Sequence, residues 1–206
     1  MGAYTPVALG SPALLEKVKR DVLWPTLERM QRIGTPFSGV LYAGLMVDTA
    51  GVPWVVEFNC RLGDPEAQAV LPLIAEGLTE CLWRVARGER PSRINPSRGA
   101  AVTTVLASQG YPDRPQKGAA IVLPAAPDGV TIFHAGTVRG QDGTLRVGGG
   151  RVLTATAVSA SFPEAQRLSR EAAEAVQFEG KIFRRDIGWR EAARLKERKG
   201  TVTVTS

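Results

Sequence analysis

After residue 99 the chain changes texture in a way that narrows its possible folds. Five short β-type runs follow one another at Ala100–Ala107, Ala119–Leu123, Val130–Val138, Thr144–Val147 and Arg151–Val158. Each is closed by a turn containing Gly or Pro. Runs this short and closely spaced leave no room for crossover helices, so they predict a small antiparallel sheet or barrel. Ahead of them GERPSRINPSRG, residues 88–99, is rich in Pro, Gly, Ser and charge and reads as a linker. The expected division is therefore a first domain over 1–90, a linker over 91–99, a β-rich domain over 100–190, and a charged, disordered tail over 191–206.

The first ninety residues read differently. Ser11 and Pro12 form a helix start, an N-cap acceptor followed by a residue pre-set for the first turn. Leu14, Leu15, Val18, Val22 and Leu23 continue at helical spacing, and Pro25 predicts a kink or a second short helix ending at Gly34. GVLYAGLMV and WVVEFNC, joined by turn residues Asp48 to Pro53, predict an antiparallel hairpin. Asp64 and Pro65 mark another helix start, and Leu78–Arg87 forms an amphipathic helix closed by Gly88. Ser161 to Glu164 opens a further helix running to Val176.

Composition excludes several classes. The longest uncharged stretches, Met1–Leu15 and Ile33–Val47, have fifteen residues each, too few for a membrane-spanning helix, and MGAYTPVALG lacks the features of a signal peptide. Cys60 and Cys81 are too few for a disulfide scaffold, and with one histidine any metal must be held by carboxylate and amide oxygens, as magnesium or manganese is. A cytoplasmic protein is expected. The net charge of +6 is concentrated in the last third. That bias suits a phosphate-bearing partner, small metabolite or nucleic acid alike.

EFNCRLGDPEAQ, Glu57 to Gln68, carries the most chemistry. Alternation on a strand places Glu57, Asn59 and Arg61 on one face, with Phe58 and Cys60 on the other. A carboxylate and an amide oxygen suit magnesium, and Arg61 is placed to neutralise a phosphoryl group or carboxylate. The helix opening at Asp64 could offer amides to an anion. The same three residues could equally form the solvated face of an amphipathic strand.

GTPFSGVLYAGLMV and WVVEFNCRLGDPEAQAVLPLI together resemble the phosphoribosylamine–glycine ligase family of the ATP-grasp superfamily. MGAYTP at the start, FHAGT at Phe133–Thr137, GGRVLTATA at Gly149–Ala157 and FRRDIGW at Phe183–Trp189 extend the resemblance in order to Trp189. It implies an α+β fold: the C-terminal half of an ATP-grasp domain, an antiparallel sheet with helices, followed by a small β-rich C-terminal domain. It implies a ligase using ATP and Mg2+ or Mn2+ to join glycine to 5-phosphoribosylamine. By the same resemblance Glu57 and Asn59 are metal ligands, Arg61 stabilises the phosphoryl or acyl-phosphate group, and Asp64 contacts glycine or orients another group. Arg184 and Arg185 match residues around a ribose phosphate, although alternation lets only one face a given ligand.

Family members carry roughly two ordinary domains more at the N-terminus. The chain alone is accordingly expected to be an inactive fragment, lacking N-terminal domains needed for activity. Two other functions compete: another ATP-grasp carboxylate–amine ligase or carboxylase, and a non-catalytic basic nucleic-acid-binding module. His134 reads as a packed, hydrogen-bonded residue, Gly148–Gly150 as a glycine-rich hairpin turn, and Trp24, Trp54, Trp83 and Trp189 as core anchors.

Overall fold

The computed structural model describes residues 1–202, with side chains as far as Glu197. In chain order the elements are β1 (Gly2–Thr5), α1 (Pro12–Val18), α2 (Trp24–Arg32), β2 (Tyr42–Val47), β3 (Pro53–Asn59), α3 (Glu66–Val70), β4 (Ile74–Glu76), α4 (Leu78–Ala86), β5 (Asn95–Pro96), β6 (Ala100–Ser108), β7 (Val130–His134), β8 (Thr137–Arg139), β9 (Leu145–Val147), β10 (Arg151–Ser159), α5 (Phe162–Ala175), β11 (Lys181–Ile182) and α6 (Trp189–Val202). The mixture is α+β with antiparallel pairing throughout, as expected.

The chain forms two compact units, and they do not divide at one linker. The first takes Met1–Pro6, Asp64–Leu73 and the chain from Ser97 onward, and the second takes Val7–Gly63 and Ile74–Pro96. Strand pairing is the reason: β1 adds to β6, with Gly2 opposite Thr104, and so carries the first residues into the later sheet. The segment read as a linker is itself partly structured, since β5 pairs with β4.

In the first unit the sheet runs β1-β6-β10-β7, and β11 pairs with the end of β6. All nine residues of β6 are buried, because both faces of the strand are covered. Ala100 and Val102 meet Phe162 and Ala165 of α5, while Ala101 meets Ala69 and Leu73 of the α3 segment. Hydroxyls buried among them are partnered. Ser169 donates to the Ala155 carbonyl at 2.9 Å and lies 2.8 Å from the Thr104 hydroxyl, and Thr103 is bonded to Thr156. The C-terminus of α5 is closed by Lys181, whose ammonium donates to the carbonyls of Ala173 and Glu174 at 2.9 and 2.8 Å.

Several sequence expectations change. Ala119–Leu123 forms isolated bridges rather than a strand, because Ala120 meets Arg146 while Val122 meets Gln177. Val130–Val138 breaks into β7 and β8 around Gly136, whose backbone lies against Arg151 and Gly149. Gly148–Gly150 joins β9 to β10, strands of different sheets, so it is a connection rather than a hairpin turn. The residues after Trp189 form α6, where Ala192 and Leu195 pack on the cluster holding Phe162. The expected disordered tail is thus helical as far as Val202, and its last residues, 203–206, lie outside the described residues.

The second unit holds the helical segment, the β2–β3 ribbon, the β4–β5 pair and α4. The Ser11 hydroxyl accepts from the Leu14 amide at 3.2 Å, the expected N-cap. A π-helical turn at Lys19–Leu23 precedes α2, and Pro25 enters its first turn. Widening the helix there accommodates a residue that has no N–H and crowds the carbonyl four residues back. Burial in this unit is sparse. Trp24, Trp54 and Trp83 are all exposed, as is Trp189 of the first unit. None of the four is a core anchor.

Candidate functional site

The β2–β3 ribbon presents the first group of candidate residues. Its turn is pinned by Asp48, whose carboxylate accepts from the amides of Ala50 and Val52 at 2.9 and 2.8 Å and from the Trp54 indole at 2.9 Å. These bonds, the indole's first among them, hold the Asp48 carboxyl below its usual pKa. A register shift between Gly44 and Leu45 marks a bulge, beyond which Gly44 faces Glu57 and Tyr42 faces Asn59. Glu57 and Asn59 share a face, and the Asn59 amide donates to the Glu57 carboxylate at 3.1 Å.

Gly44 makes that arrangement possible. A Cβ at this position would stand 3.0 Å from Cγ of Glu57, so the missing side chain is the room in which Glu57 lies. One carboxylate and one amide oxygen on adjoining positions fit a hard divalent cation that takes its remaining ligands from phosphate and water. Among the described residues no group of three or more His, Cys, Asp or Glu offers a complete protein cage.

Arg61 does not continue this face. β3 ends at Asn59, and the Arg61 guanidinium donates to the Leu62 carbonyl at 2.8 Å in the bend that follows. α3 begins at Glu66 rather than at Asp64 and has only five residues, and it provides no helix N-terminal anion site.

In the first unit the register gathers a second group at one end of the sheet. Arg151 opens β10 opposite Ala107, and β11 meets Ala107 and Ser108. Met1 accepts from the Val105 amide at the same end. Here Arg151 holds Asp64 twice, at 3.0 Å from its carbonyl and 3.2 Å from its carboxylate, and the Gln68 amide donates to that carboxylate at 2.9 Å. Oε1 of Gln68 is buried without a hydrogen-bond partner. A second pair lies close by, with Arg184 donating to Asp186 at 2.8 Å. Burial and, next, the charge of Arg184 push the Met1 amino group below its usual pKa, with Asp186 opposing and Arg151 reinforcing. The two arginine–carboxylate pairs therefore act on one neighbourhood.

Arg184 lines two cavities there. One of about 230 Å³ is bounded by Gly2, Tyr4, Asp186, Trp189 and Arg190, and one of about 190 Å³ by Met1, Tyr111 and Phe183. Arg185 turns elsewhere, over the Phe183 ring at 5.5 Å and 3.8 Å from Glu174. Alternation separates the two arginines, as expected of adjacent residues on an extended segment. His134 is exposed and bonded to the Thr137 hydroxyl at 3.0 Å, so it is hydrogen-bonded but not packed.

Sequence reading missed Arg151 and Gln68 as partners of Asp64. Gln68 lies within EFNCRLGDPEAQ and Arg151 follows Gly148–Gly150, and neither neighbourhood signals the contact with Asp64. Six arginines of the basic last third, at 146, 151, 167, 184, 185 and 194, face carboxylates. Of these, Arg184 and Arg185 remain largely exposed. Among the described residues no helix is long and apolar enough to cross a membrane.

The fold is shared with ATP-grasp enzymes. Biotin carboxylase domains share it at the level of fold: that of 2-oxoglutarate carboxylase from Hydrogenobacter thermophilus, determined with MgADP and bicarbonate, superposes with a TM-score of 0.62 at 15% identity, covering 89% of this chain and 40% of that one. Sequence narrows the class. Residues 1–67 match the family described as phosphoribosylglycinamide synthetase, ATP-grasp (A) domain, and residues 101–190 match phosphoribosylglycinamide synthetase, C domain.

The chain belongs to this phosphoribosylglycinamide synthetase family. It is 45% identical over 192 residues to a phosphoribosylamine–glycine ligase of Chlorobaculum tepidum, covering 91% of this chain and 45% of the relative. It is 44% identical over 204 residues to the trifunctional purine biosynthetic protein adenosine-3 of Gallus gallus, covering 97% and 20%. The crystal structure of the Thermotoga maritima phosphoribosylamine–glycine ligase superposes with a TM-score of 0.79 at 40% identity, covering 91% of this chain and 46% of that one. The chain thus spans less than half the length of these relatives.

Proposed function

We propose that the chain supplies part of an ATP-dependent carbon–nitrogen ligase that joins glycine to 5-phosphoribosylamine in the cytoplasm. In this reading ATP transfers its γ-phosphoryl group to the glycine carboxylate, releasing ADP and forming glycyl phosphate. The amine of phosphoribosylamine then attacks the acyl carbon and phosphate leaves, giving glycinamide ribonucleotide. A carboxylate is a poor electrophile until phosphorylated, so the first step needs positive charge around the transferring group. A magnesium or manganese ion, when bound, supplies part of that charge.

The chain's own residues have separable tasks. Glu57 and Asn59 hold the cation, and Arg61, freed by the end of β3, reaches the phosphoryl or acyl-phosphate group. Asp64, oriented by Arg151 and Gln68, accepts from the glycine amino group. Arg184 binds the ribose phosphate from its cavity wall, with Arg185 adding charge from outside it. The observation that carries the reading is the Glu57–Asn59 contact over Gly44, within the stretch that matches the ATP-grasp (A) domain.

Manganese titration of the isotopically labelled chain tests the site without requiring turnover. Paramagnetic broadening is expected at the amides around Glu57 and Asn59 and should vanish in Glu57→Gln. Broadening that persists unchanged in that variant would remove the metal assignment. The chain alone is expected to form no glycinamide ribonucleotide, so product formed by the purified chain would show that the rest of the relatives' length is dispensable.

A further inference from the structure

The cavity of about 230 Å³ beside Arg184 carries two groups for which the ligase reading has no use. Trp189 opens α6 on its wall and is 54% exposed. Arg190, also on the wall, lies over the indole at 5.2 Å from the ring centroid. Among the described residues no carboxylate pairs with Arg190, and the Trp189 indole N–H has no acceptor. All the lining residues belong to the first unit.

The segment that carries these groups is held from several sides. Arg184 donates to Asp186 at 2.8 Å, and the Gln166 amide donates to the Ile187 carbonyl at 2.7 Å. Gly188 takes a φ of +78° and packs against Phe162, where a Cβ would stand 2.7 Å from the ring. Phe162 in turn meets Tyr4 edge-on, with centroids 5.3 Å apart. Arg184, Trp189 and Arg190 therefore line the cavity from a backbone that needs little ordering when a ligand arrives.

The three side chains have separate preferences. Guanidinium groups suit a phosphate, and an indole with a guanidinium beside it suits a flat aromatic ring. Phosphoribosylamine has the phosphate but no aromatic ring, so Trp189 adds little to its binding. We propose that this cavity also takes a ribonucleoside 5′-monophosphate, with its phosphate on Arg184 and its base stacked on Trp189 next to Arg190, in competition with phosphoribosylamine. The proposal rests on the reading of Arg184 as the ribose-phosphate ligand. The competing account is that Trp189 and Arg190 are only the solvated start of α6.

The test titrates guanosine 5′-monophosphate, guanosine and ribose 5-phosphate separately into the isotopically labelled full chain. Binding is followed at the Trp189 indole N–H and the amides of residues 184–190. A guanine base keeps the probe distinct from ATP, the nucleotide of the proposed reaction. The monophosphate is expected to bind about tenfold or more tighter than ribose 5-phosphate, as stacking of one base provides, and to be displaced by excess ribose 5-phosphate. Trp189→Leu should remove that advantage and leave the affinity for ribose 5-phosphate unchanged. Arg190→Gln should reduce the advantage, and it probes the same surface if the leucine variant does not fold.

Equal affinity for the monophosphate and ribose 5-phosphate would overturn the proposal and leave Arg184 standing as a phosphate ligand. So would a preference for the monophosphate that survives both Trp189→Leu and Arg190→Gln. Binding of neither phosphate, or binding unchanged in Arg184→Gln, would refute the ribose-phosphate reading itself and the proposal with it.

Discussion

Gly44→Ala isolates the geometry on which the metal site depends. The added methyl would stand 3.0 Å from Cγ of Glu57, inside ordinary van der Waals separation. Because the clash falls near the root of the glutamate side chain, the carboxylate cannot swing aside while Cγ stays fixed. Cγ must give by a few tenths of an ångström, which twists the side chain off its ideal rotamer at a cost of about 0.5–1.5 kcal/mol. A cation would have to repay that cost to recover the Glu57 oxygen, which corresponds to manganese affinity falling by about two- to tenfold. Fold stability should change less, since Glu57 is exposed and can relax into solvent when no ion is bound. The assay is a manganese titration of four proteins: the chain, Gly44→Ala, Glu57→Gln and the double variant. If the methyl acts through Glu57, it has nothing left to weaken in the Glu57→Gln background. An equal loss in both backgrounds, or no loss in either, would refute the argument.

Gly136→Ala should be far more damaging, because its Cβ would stand 2.6 Å from the Arg151 carbonyl and 2.7 Å from Cα of Gly149, both backbone atoms. Overpacking against parts that cannot rotate away predicts a loss of about 1–3 kcal/mol or more in urea unfolding. Ser169→Ala leaves the buried Thr104 hydroxyl and Ala155 carbonyl each short of a partner and should cost about 1–3 kcal/mol, with near-native structure by NMR. The Asp142 carboxyl is lowered to about 2 by the Thr144 amide and by Arg146. A carboxyl depressed in the folded state stabilises fully above its unfolded pKa, and the contribution fades as pH falls through the folded value. The loop between β8 and β9 should therefore loosen between about pH 4 and pH 2, as amide shifts would show, and Asp142→Asn should remove that dependence.

What the sequence revealed, and what it concealed, follows from the range of each interaction. The Ser11 cap, the β2–β3 hairpin and the common face of Glu57 and Asn59 are set by spacing within one element, and all three appear in the structure. The end of β3 before Arg61 is a boundary, fixed by where pairing with β2 runs out, and alternation alone cannot locate it. The Asp64–Arg151 contact joins residues 87 apart and depends on the register of β10 against β6. No local pattern announces it.

The four tryptophans show a different limit. Large apolar residues are read as core because burying them stabilises a chain by more than any other single choice of residue. That argument presumes that the covering surface lies in the same sequence. In the second unit no described residue covers that strand, so Trp54, Val56 and Phe58 are exposed on a ribbon with open edges. The same chain buries the central strands β6 and β10 of its first unit, built from comparable residues. Composition is therefore not what separates the two units. The difference lies in whether both sides of each strand find their partners among the described residues.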